Sequence, residues 1–243
     1  MSSNFAHITN VQNFNNLMTH MMNADDSLPS IACFYGASGV GKTTSAIWAM
    51  SAHQAKYIAV GGSWTKRTLI ENLAKEFHIS SIRSVPDGVA RIIFELKQKI
   101  RPIIIDEADY LIDGAKVPKI ELIREISDAT NCPIILLGEG QLPSNIRSLE
   151  RVHNRVLKWQ VAERASNEDI KLLVEKFAPE LTFSKDLIEK LNSHNKGIIR
   201  YVMADIYAAC DVCTGLDLKE IDLAIFKAKG GFNNSYAPNG GKA

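Results

Sequence analysis

The sequence contains few cysteines, and their placement argues against a fold held by disulfides. Four are present, mostly within apolar runs: Cys33, Cys132, Cys210 and Cys213. Reduced thiols packed in a core, as in a cytosolic protein, are therefore expected. Cys210 and Cys213 form a lone C-x-x-C pattern, and no second pair completes a zinc site.

The sequence also lacks a strong net charge and a long apolar run. Its formal net charge is +1 over 243 residues, so any contact with nucleic acid must come from local clusters of charge. No apolar run approaches the roughly eighteen residues of a membrane-spanning helix, and the N-terminus lacks the pattern of a secretory signal. The hydrophobic content of 46% is enough for a sizeable core. We expect a globular cytoplasmic protein with no membrane contact.

One stretch fits the phosphate-binding pattern G-x-x-x-x-G-K-[ST]: Gly36, Ala37, Ser38, Gly39, Val40, Gly41, Lys42 and Thr43. It follows an apolar run and opens a helical pattern, which is the context that gives the pattern meaning. The glycines permit a tight turn with inward N–H groups, and the helix N-terminus favours phosphate oxygens. We expect Lys42 at the β- and γ-phosphates, Thr43 at Mg²⁺ and Thr44 at the α-phosphate.

A later apolar strand ends in two carboxylates, Asp106 and Glu107. Asp106 is expected to hold Mg²⁺ opposite Thr43, directly or through water. Glu107 is expected to orient and polarise the water that attacks the γ-phosphate. Together with the glycine-rich loop, these acids predict hydrolysis of the bound nucleotide.

Hydrolysis also needs positive charge for its transition state, and three arginines follow the fourth predicted strand: Arg147, Arg151 and Arg155. An arginine there could cross to the nucleotide of a neighbouring subunit. Arg151 or Arg155 is the preferred candidate. A solvated helix face remains the alternative for each of the three.

Strand and helix patterns alternate five times, which predicts an α/β fold. Apolar strands are expected at 31–35, 56–60, 102–106, 133–138 and 155–159. Nearly continuous apolar runs predict a parallel five-stranded sheet with helices on both faces. We expect this α/β domain, with an N-terminal helix over 8–22, to span 1–162. A small all-α region is expected over 163–229, followed by a disordered tail over 230–243.

These motifs, in their order and spacing, resemble those of AAA+ ATPases. The resemblance covers about residues 8–227 and is carried by the Walker A motif Gly36–Thr43, the Walker B motif Ile103–Glu107, the turn Leu136–Gln141 and the G-x-x-R pattern Gly197–Arg200. It implies ATP as the nucleotide and a C-terminal helical lid. Arg200 would be the second sensor, which reaches the γ-phosphate from that lid.

Within AAA+ proteins, the size, the Ile-Asp-Glu-Ala-Asp string and the brief lid are most similar to transposition target-selection ATPases of the MuB, TnsC and TniB type. That resemblance implies ATP-dependent self-association on duplex DNA, as a ring or helical filament, without sequence preference. It also implies recruitment of a transposase and disassembly on hydrolysis. Glu139 stands at the first-sensor position, where relatives usually have Asn or Thr. An acid there would repel the γ-phosphate unless turned away or paired, so slow hydrolysis stimulated by DNA or a partner is expected.

The same resemblance implies DNA contacts from two loops, whose candidates are Trp64, Thr65, Lys66, Arg67, Arg83 and Ser84. The basic side chains would hold phosphates, with Thr65 and Ser84 as hydroxyl partners. Trp64 would lie either against the DNA backbone or on the protein core. A weaker basic loop spans Lys116–Lys119.

Three other functions remain open. A replication helicase or clamp loader would share every nucleotide-site residue and would act as a ring with a dedicated protein partner. A signalling NTPase would normally carry an added effector domain, and none is visible here. A small metabolic kinase would need an acceptor pocket in place of the paired acids.

Overall fold

Short apolar runs separated by amphipathic stretches build a parallel sheet in the computed structural model, which describes residues 5–112, 114 and 117–232. The strands are β1 (Ile31–Tyr35), β2 (Lys56–Ala59), β3 (Ile103–Asp106), β4 (Ile134–Gly138) and β5 (Val156–Val161). Their order across the sheet is β2-β3-β4-β1-β5, and each neighbouring pair is parallel. The predicted five-stranded parallel sheet is confirmed.

One helix precedes the first strand, and the others connect the strands. They are α1 (Thr9–Met22), α2 (Lys42–His53), α3 (Lys66–Glu76), α4 (Val85–Gln98), a 3-10 helix (Ala108–Leu111), α5 (Ile120–Thr130), α6 (Leu142–Arg147) and α7 (Glu150–His153). The helical pattern of the sequence over 142–152 predicts one helix, whereas the structure has α6 and α7 there. Leu149 leaves the helical conformation between them, with φ −112° and ψ 78°, and its side chain packs against the core.

The central strand β1 shows why the strands read as unbroken apolar runs. Ile31 and Cys33 point to one face, where they join a core built with residues of α3, α4 and α5. Phe34 points to the other face and meets Phe14 of α1, with ring centroids 5.1 Å apart and nearly perpendicular planes. Both faces of the sheet are therefore covered, as parallel sheets require.

The contacts between residues divide the chain into two units. The sheet unit comprises Asn10–Ala37 and Lys42–Ala162. The helical unit comprises Ser38–Gly41 together with, among the described residues, 5–9 and 163–232.

The helical unit contains α8 (Asn167–Phe177), α9 (Lys185–Asn195), α10 (Ile199–Leu216) and α11 (Leu223–Ala228). It also contains two short parallel strands, β6 (Thr182–Phe183) and β7 (Glu220–Ile221), which an all-α region would lack. Two residues are too few to show the alternation that marks a strand in sequence.

The start of the predicted disordered tail is packed against this unit. The ring of Phe232 lies 5.1 Å from that of Phe226 and 4.5 Å from that of His194, measured between centroids. The remainder of the predicted tail, 233–243, lies outside the described residues, as does Lys116 of the weaker basic loop.

Across residues 5–112, 114 and 117–232, no helix combines the length and the apolar character needed to cross a membrane.

The carboxylate of Asp169 anchors the beginning of α8 and the beginning of α1. It is 4% exposed and accepts hydrogen bonds from Thr9 N–H at 2.6 Å and Thr9 Oγ1 at 2.9 Å. Its second oxygen accepts from Ser166 N–H at 2.9 Å and Ser166 Oγ at 3.0 Å. Four donors therefore depend on one buried side chain.

Asp169→Ala is expected to lower the free energy of unfolding by about 2–4 kcal/mol, because buried donors lose their acceptor. Asp222→Ala is the control, since Asp222 caps α11 through a single bond to Ile225 N–H at 2.7 Å, and its loss should cost about 1 kcal/mol. Urea unfolding of both variants measures the difference. Equal losses would contradict the role given to Asp169.

Candidate functional site

The loop between β1 and α2 takes a shape that only glycine permits at several positions. Gly39 and Gly41 have φ values of 80° and 93°, in the left-handed region that other residues rarely adopt. Gly36 has a different constraint, because a Cβ there would lie 2.6 Å from the carbonyl oxygen of Ala162. The loop can therefore turn tightly and present backbone N–H groups, as the sequence predicted.

Lys42, the first residue of α2, folds across the inside of this loop. Its ammonium donates to the carbonyl oxygens of Gly36 and Ala37, each at 2.8 Å. Burial lowers the pKa of Lys42, while nearby carboxylates, that of Glu139 foremost, act to raise it. The ammonium is thus held at the loop within a group of acids.

Among the remaining loop residues, Val40 is fully buried and Thr43 and Thr44 are exposed at the beginning of α2. Ser38 is also exposed. The hydroxyls of Thr43 and Thr44 therefore lie at the helix N-terminus, where phosphate oxygens are favoured.

Asp106 ends β3 and has a buried carboxylate, with the residue 4% exposed. Its Oδ2 accepts from Thr43 Oγ1 at 2.7 Å and from the hydroxyl of Tyr57 at 3.0 Å. Its Oδ1 accepts from Glu107 N–H at 2.8 Å. A hydroxyl and a carboxylate meeting at the end of a phosphate-type loop are the hard oxygen ligands that Mg²⁺ takes, so these residues fit the expected cation.

Glu107 has a left-handed backbone, with φ 54° and ψ 39°, immediately before the 3-10 helix. This conformation is unusual for a residue with a side chain and directs Glu107 differently from Asp106. Partial burial and the neighbouring carboxylates of Asp106 and Asp109 raise the pKa of Glu107. The two adjacent acids therefore occupy distinct environments.

Asp109 links the acids after β3 to the turn after β4. Its Oδ2 accepts from Glu139 N–H at 2.7 Å, and a Cβ at Gly138 would collide with the same oxygen. The side chain of Glu139 is exposed. The first-sensor position is thus held through its backbone, while its carboxylate acts on Lys42.

Sequence reasoning missed the contacts of two residues here, Tyr57 and Asp109. For Tyr57, in β2, the apolar pattern predicts only a place in a strand. For Asp109, the Ile-Asp-Glu-Ala-Asp string predicts no contact. Its spacing of three residues from Asp106 is the signal that would have placed both acids at the same end of β3.

Within the sheet unit, the three candidate arginines are not among the charged residues that act on Lys42. Arg155 precedes β5, and its carbonyl accepts from Ile31 N–H at the beginning of β1, so it lies at the opposite edge of the sheet from Gly36. Its guanidinium pairs with Asp128 at 2.5 Å. Arg151 is exposed and lines a surface cavity with Glu121, Leu149 and others. Arg147, at the end of α6, is also exposed.

In the helical unit, Arg200 is bound to the glycine turn through its backbone. Its N–H donates to the carbonyl of Gly39 at 3.0 Å. A Cβ at Gly39 would lie 2.9 Å from the side chain of Ile198 and 3.3 Å from that of Arg200. The G-x-x-R segment and the turn Ser38–Gly41 therefore pack closely together.

The residues expected to contact DNA divide into two groups. In the first, Thr65 and Ser84 cap α3 and α4 by accepting backbone N–H groups, and Trp64 packs against the core. Arg67 pairs with Glu71 at 2.8 Å and donates to the carbonyls of Ile82 and Arg83.

The second group contains Lys66, which is partly exposed, and Arg83, which is exposed. The hydrogen bond from Arg67 to the Arg83 carbonyl joins the two loops. Lys66 and Arg83 are therefore the basic side chains best placed to meet a ligand in solvent.

A family model described as an AAA domain matches residues 25–146. No curated protein is similar enough in sequence to match.

Several solved structures share the fold. The ORC2 protein of Aeropyrum pernix, in ADPNP-ADP complexes, matches with a TM-score of 0.68 at 12% identity, covering 90% of this chain and 66% of that one. The ORC1 protein of Aeropyrum pernix, in complex with DNA, matches with a TM-score of 0.60 at 17% identity, covering 91% and 63%. The Thermotoga maritima RuvB Holliday junction branch migration motor matches with a TM-score of 0.57 at 16% identity, covering 90% and 67%. At these identities the likeness shows the fold alone.

Gly36→Ala is expected to weaken nucleotide binding at least tenfold, about 1.4 kcal/mol, because the new Cβ displaces the loop from the Ala162 carbonyl. Gly215→Ala is the control, since a Cβ there meets no atom within 4 Å. Thermal unfolding with and without ATP and Mg²⁺ gives the affinities. An unchanged nucleotide-induced shift in Gly36→Ala would contradict the importance of this close approach.

Proposed function

Because the chain belongs to the AAA domain family, whose model matches half of its residues, we propose that it binds ATP with Mg²⁺ and hydrolyses it to ADP and phosphate. The observation that carries this proposal is the meeting of Thr43 and Asp106. Their side-chain oxygens are 2.7 Å apart, next to the loop that Lys42 spans.

Binding would use the backbone first. N–H groups of the loop Gly36–Thr43 would surround the phosphates, aided by the positive end of α2. Lys42 would exchange the carbonyls of Gly36 and Ala37 for β- and γ-phosphate oxygens, and Thr44 would contact the α-phosphate. Thr43 and Asp106 would hold Mg²⁺, which when bound neutralises charge that develops on the phosphate oxygens.

Hydrolysis would depend on Glu107. Its carboxylate would orient a water molecule towards the γ-phosphorus and accept a proton as the new P–O bond forms and the bond to ADP breaks. Arg200, the proposed second sensor, would stabilise the γ-phosphate. Arg151 is the preferred arginine for a neighbouring subunit's nucleotide, because Arg155 is already paired with Asp128.

Glu139 would make this reaction slow. Its carboxylate adds negative charge near Lys42, where an uncharged side chain would be neutral towards the γ-phosphate. Contact with DNA or a partner that turns Glu139 away would then stimulate hydrolysis.

Glu107→Gln is expected to reduce ATP hydrolysis at least about 100-fold while nucleotide affinity changes by less than about twofold. Glutamine has the same length and the same backbone strain, so only the proton acceptor is removed. Steady-state phosphate release and equilibrium ATP binding measure the two effects. The control is Glu150→Gln, an exposed change in α7, which should leave ATP hydrolysis at the wild-type rate. If Glu107→Gln also hydrolyses ATP at that rate, the proposed role of Glu107 as proton acceptor is wrong.

We further propose that the ATP-bound protein assembles on duplex DNA in the cytoplasm and delivers that DNA to a transposase, with hydrolysis driving disassembly. The Ile-Asp-Glu-Ala-Asp string and the brief lid support this function. Lys66, partly exposed at the beginning of α3, and Arg83, exposed before α4, would bind DNA phosphates with little sequence preference. Arg67, Thr65, Ser84 and Trp64 would support those loops.

A second candidate is a replication ATPase of the helicase or clamp-loader type. The fold likeness to ORC and RuvB structures favours it, and the nucleotide site would be the same. It would act as a ring of fixed size with a dedicated protein partner, whereas target selection would use assemblies of variable length.

Electron microscopy of Glu107→Gln with duplex DNA separates these functions. For target selection, we expect filaments or stacked rings that enclose DNA in the presence of ATP and do not form with ADP. Rings of one size would favour the second candidate. Monomers in the presence of either nucleotide would contradict assembly on DNA.

The same experiment tests the DNA-binding loops. In the Glu107→Gln background, the double variant Lys66→Ala with Arg83→Ala should remove DNA from the assemblies. The slope of log affinity against log salt concentration should fall by about two, one for each lost charge. The control Lys171→Ala with Lys185→Ala removes the same charge from α8 and α9, and it should change neither the assemblies nor the slope. Identical behaviour of the two double variants would reject these loops.

A further inference from the structure

The phenol of Tyr57 makes a contact that the proposed nucleotide site does not yet explain. Its hydroxyl donates to Oδ2 of Asp106 at 3.0 Å, and the same oxygen accepts from Thr43 Oγ1 at 2.7 Å. Oδ1 accepts from Glu107 N–H at 2.8 Å. Both carboxylate oxygens are therefore held by uncharged donors.

The strand register explains why tyrosine fits this position. In the parallel pair β2–β3, Tyr57 lies beside Ile104 and Ala59 lies beside Asp106. Tyr57 is thus two residues, about 6.6 Å, before the level of Asp106 and on the same face, because side chains alternate along a strand. A tyrosine side chain spans that distance, whereas serine or threonine would be too short.

An uncharged donor suits a carboxylate that must attract a cation. The hydroxyl of Tyr57 donates its hydrogen bond to Asp106 without adding a formal charge. A lysine in its place would neutralise Asp106 and compete with a divalent ion. The phenol fixes the direction of the carboxylate and leaves its charge intact.

We propose that Tyr57 is a positioning residue for the metal–nucleotide complex, holding Asp106 in place when the hydroxyl of Thr43 engages the cation. Without the phenol, Oδ2 would lose one of the two side-chain donors, Tyr57 and Thr43, that hold it, and the carboxylate would be held less firmly. This inference rests on the proposed binding of ATP with Mg²⁺.

Tyr57→Phe tests it in the full chain. A fluorescent ATP analogue is titrated at fixed Mg²⁺ concentrations and in EDTA. In Tyr57→Phe, the Mg²⁺ concentration that gives half of the full increase in nucleotide affinity should rise about tenfold. This is the usual effect of losing a residue that holds a metal ligand in place. Affinity in EDTA should stay within about twofold of wild type. Tyr35→Phe, the same change at the end of β1, should behave as wild type.

A double variant shows whether Tyr57 acts through Asp106. In an Asp106→Ala background, Tyr57→Phe should change the Mg²⁺ dependence by less than about twofold. Two results would overturn the inference. The first is a loss of nucleotide affinity in Tyr57→Phe that is equal in Mg²⁺ and in EDTA, which would identify a packing role. The second is a Mg²⁺ dependence equal to that of the wild type. If the wild-type chain itself shows no Mg²⁺-dependent binding, the proposed function fails as well.

Discussion

The candidate site depends on the parallel arrangement of β1 and β3 on either side of β4. Parallel strands have their carboxyl ends at one edge, so the loop after β1 meets the acids after β3. Thr43 and Asp106 are 63 residues apart in sequence, yet their side chains share a hydrogen bond. A slip of one residue in β3 would turn Asp106 to the other face of the sheet. The register of buried apolar strands therefore determines the chemistry at their ends.

The charges at this edge are unbalanced. The carboxylates of Asp106, Glu107, Asp109 and Glu139 all act on Lys42, whose pKa is nevertheless lowered because burial outweighs them. A triphosphate would add further negative charge, so the proposed binding would need backbone N–H groups and a divalent cation in addition to one lysine. This surplus of acid is the physical reason for proposing Mg²⁺ and slow turnover.

Local patterns predicted the features that depend on local rules. The glycine-rich loop, the buried strands and the carboxylates of Asp106 and Glu107 could all be read from residue type and spacing. The contacts of Tyr57 and Asp109 could not, because they depend on which strands are neighbours and on their register. The break at Leu149 was also missed, since packing against the core overrides a helical pattern there. The partners of Arg67, Glu71 and two carbonyls, were likewise not predicted, because two of them lie on a different loop.

The most direct test of the proposed nucleotide site is a crystal structure with a non-hydrolysable ATP analogue and Mg²⁺. We expect the triphosphate within the loop Gly36–Thr43, with the Lys42 ammonium moved from the carbonyls of Gly36 and Ala37 to phosphate oxygens. We expect Mg²⁺ about 2.1 Å from Thr43 Oγ1, with Asp106 beside it as a direct ligand or through water. A nucleotide bound elsewhere, or Lys42 still on the two carbonyls with phosphate nearby, would contradict it.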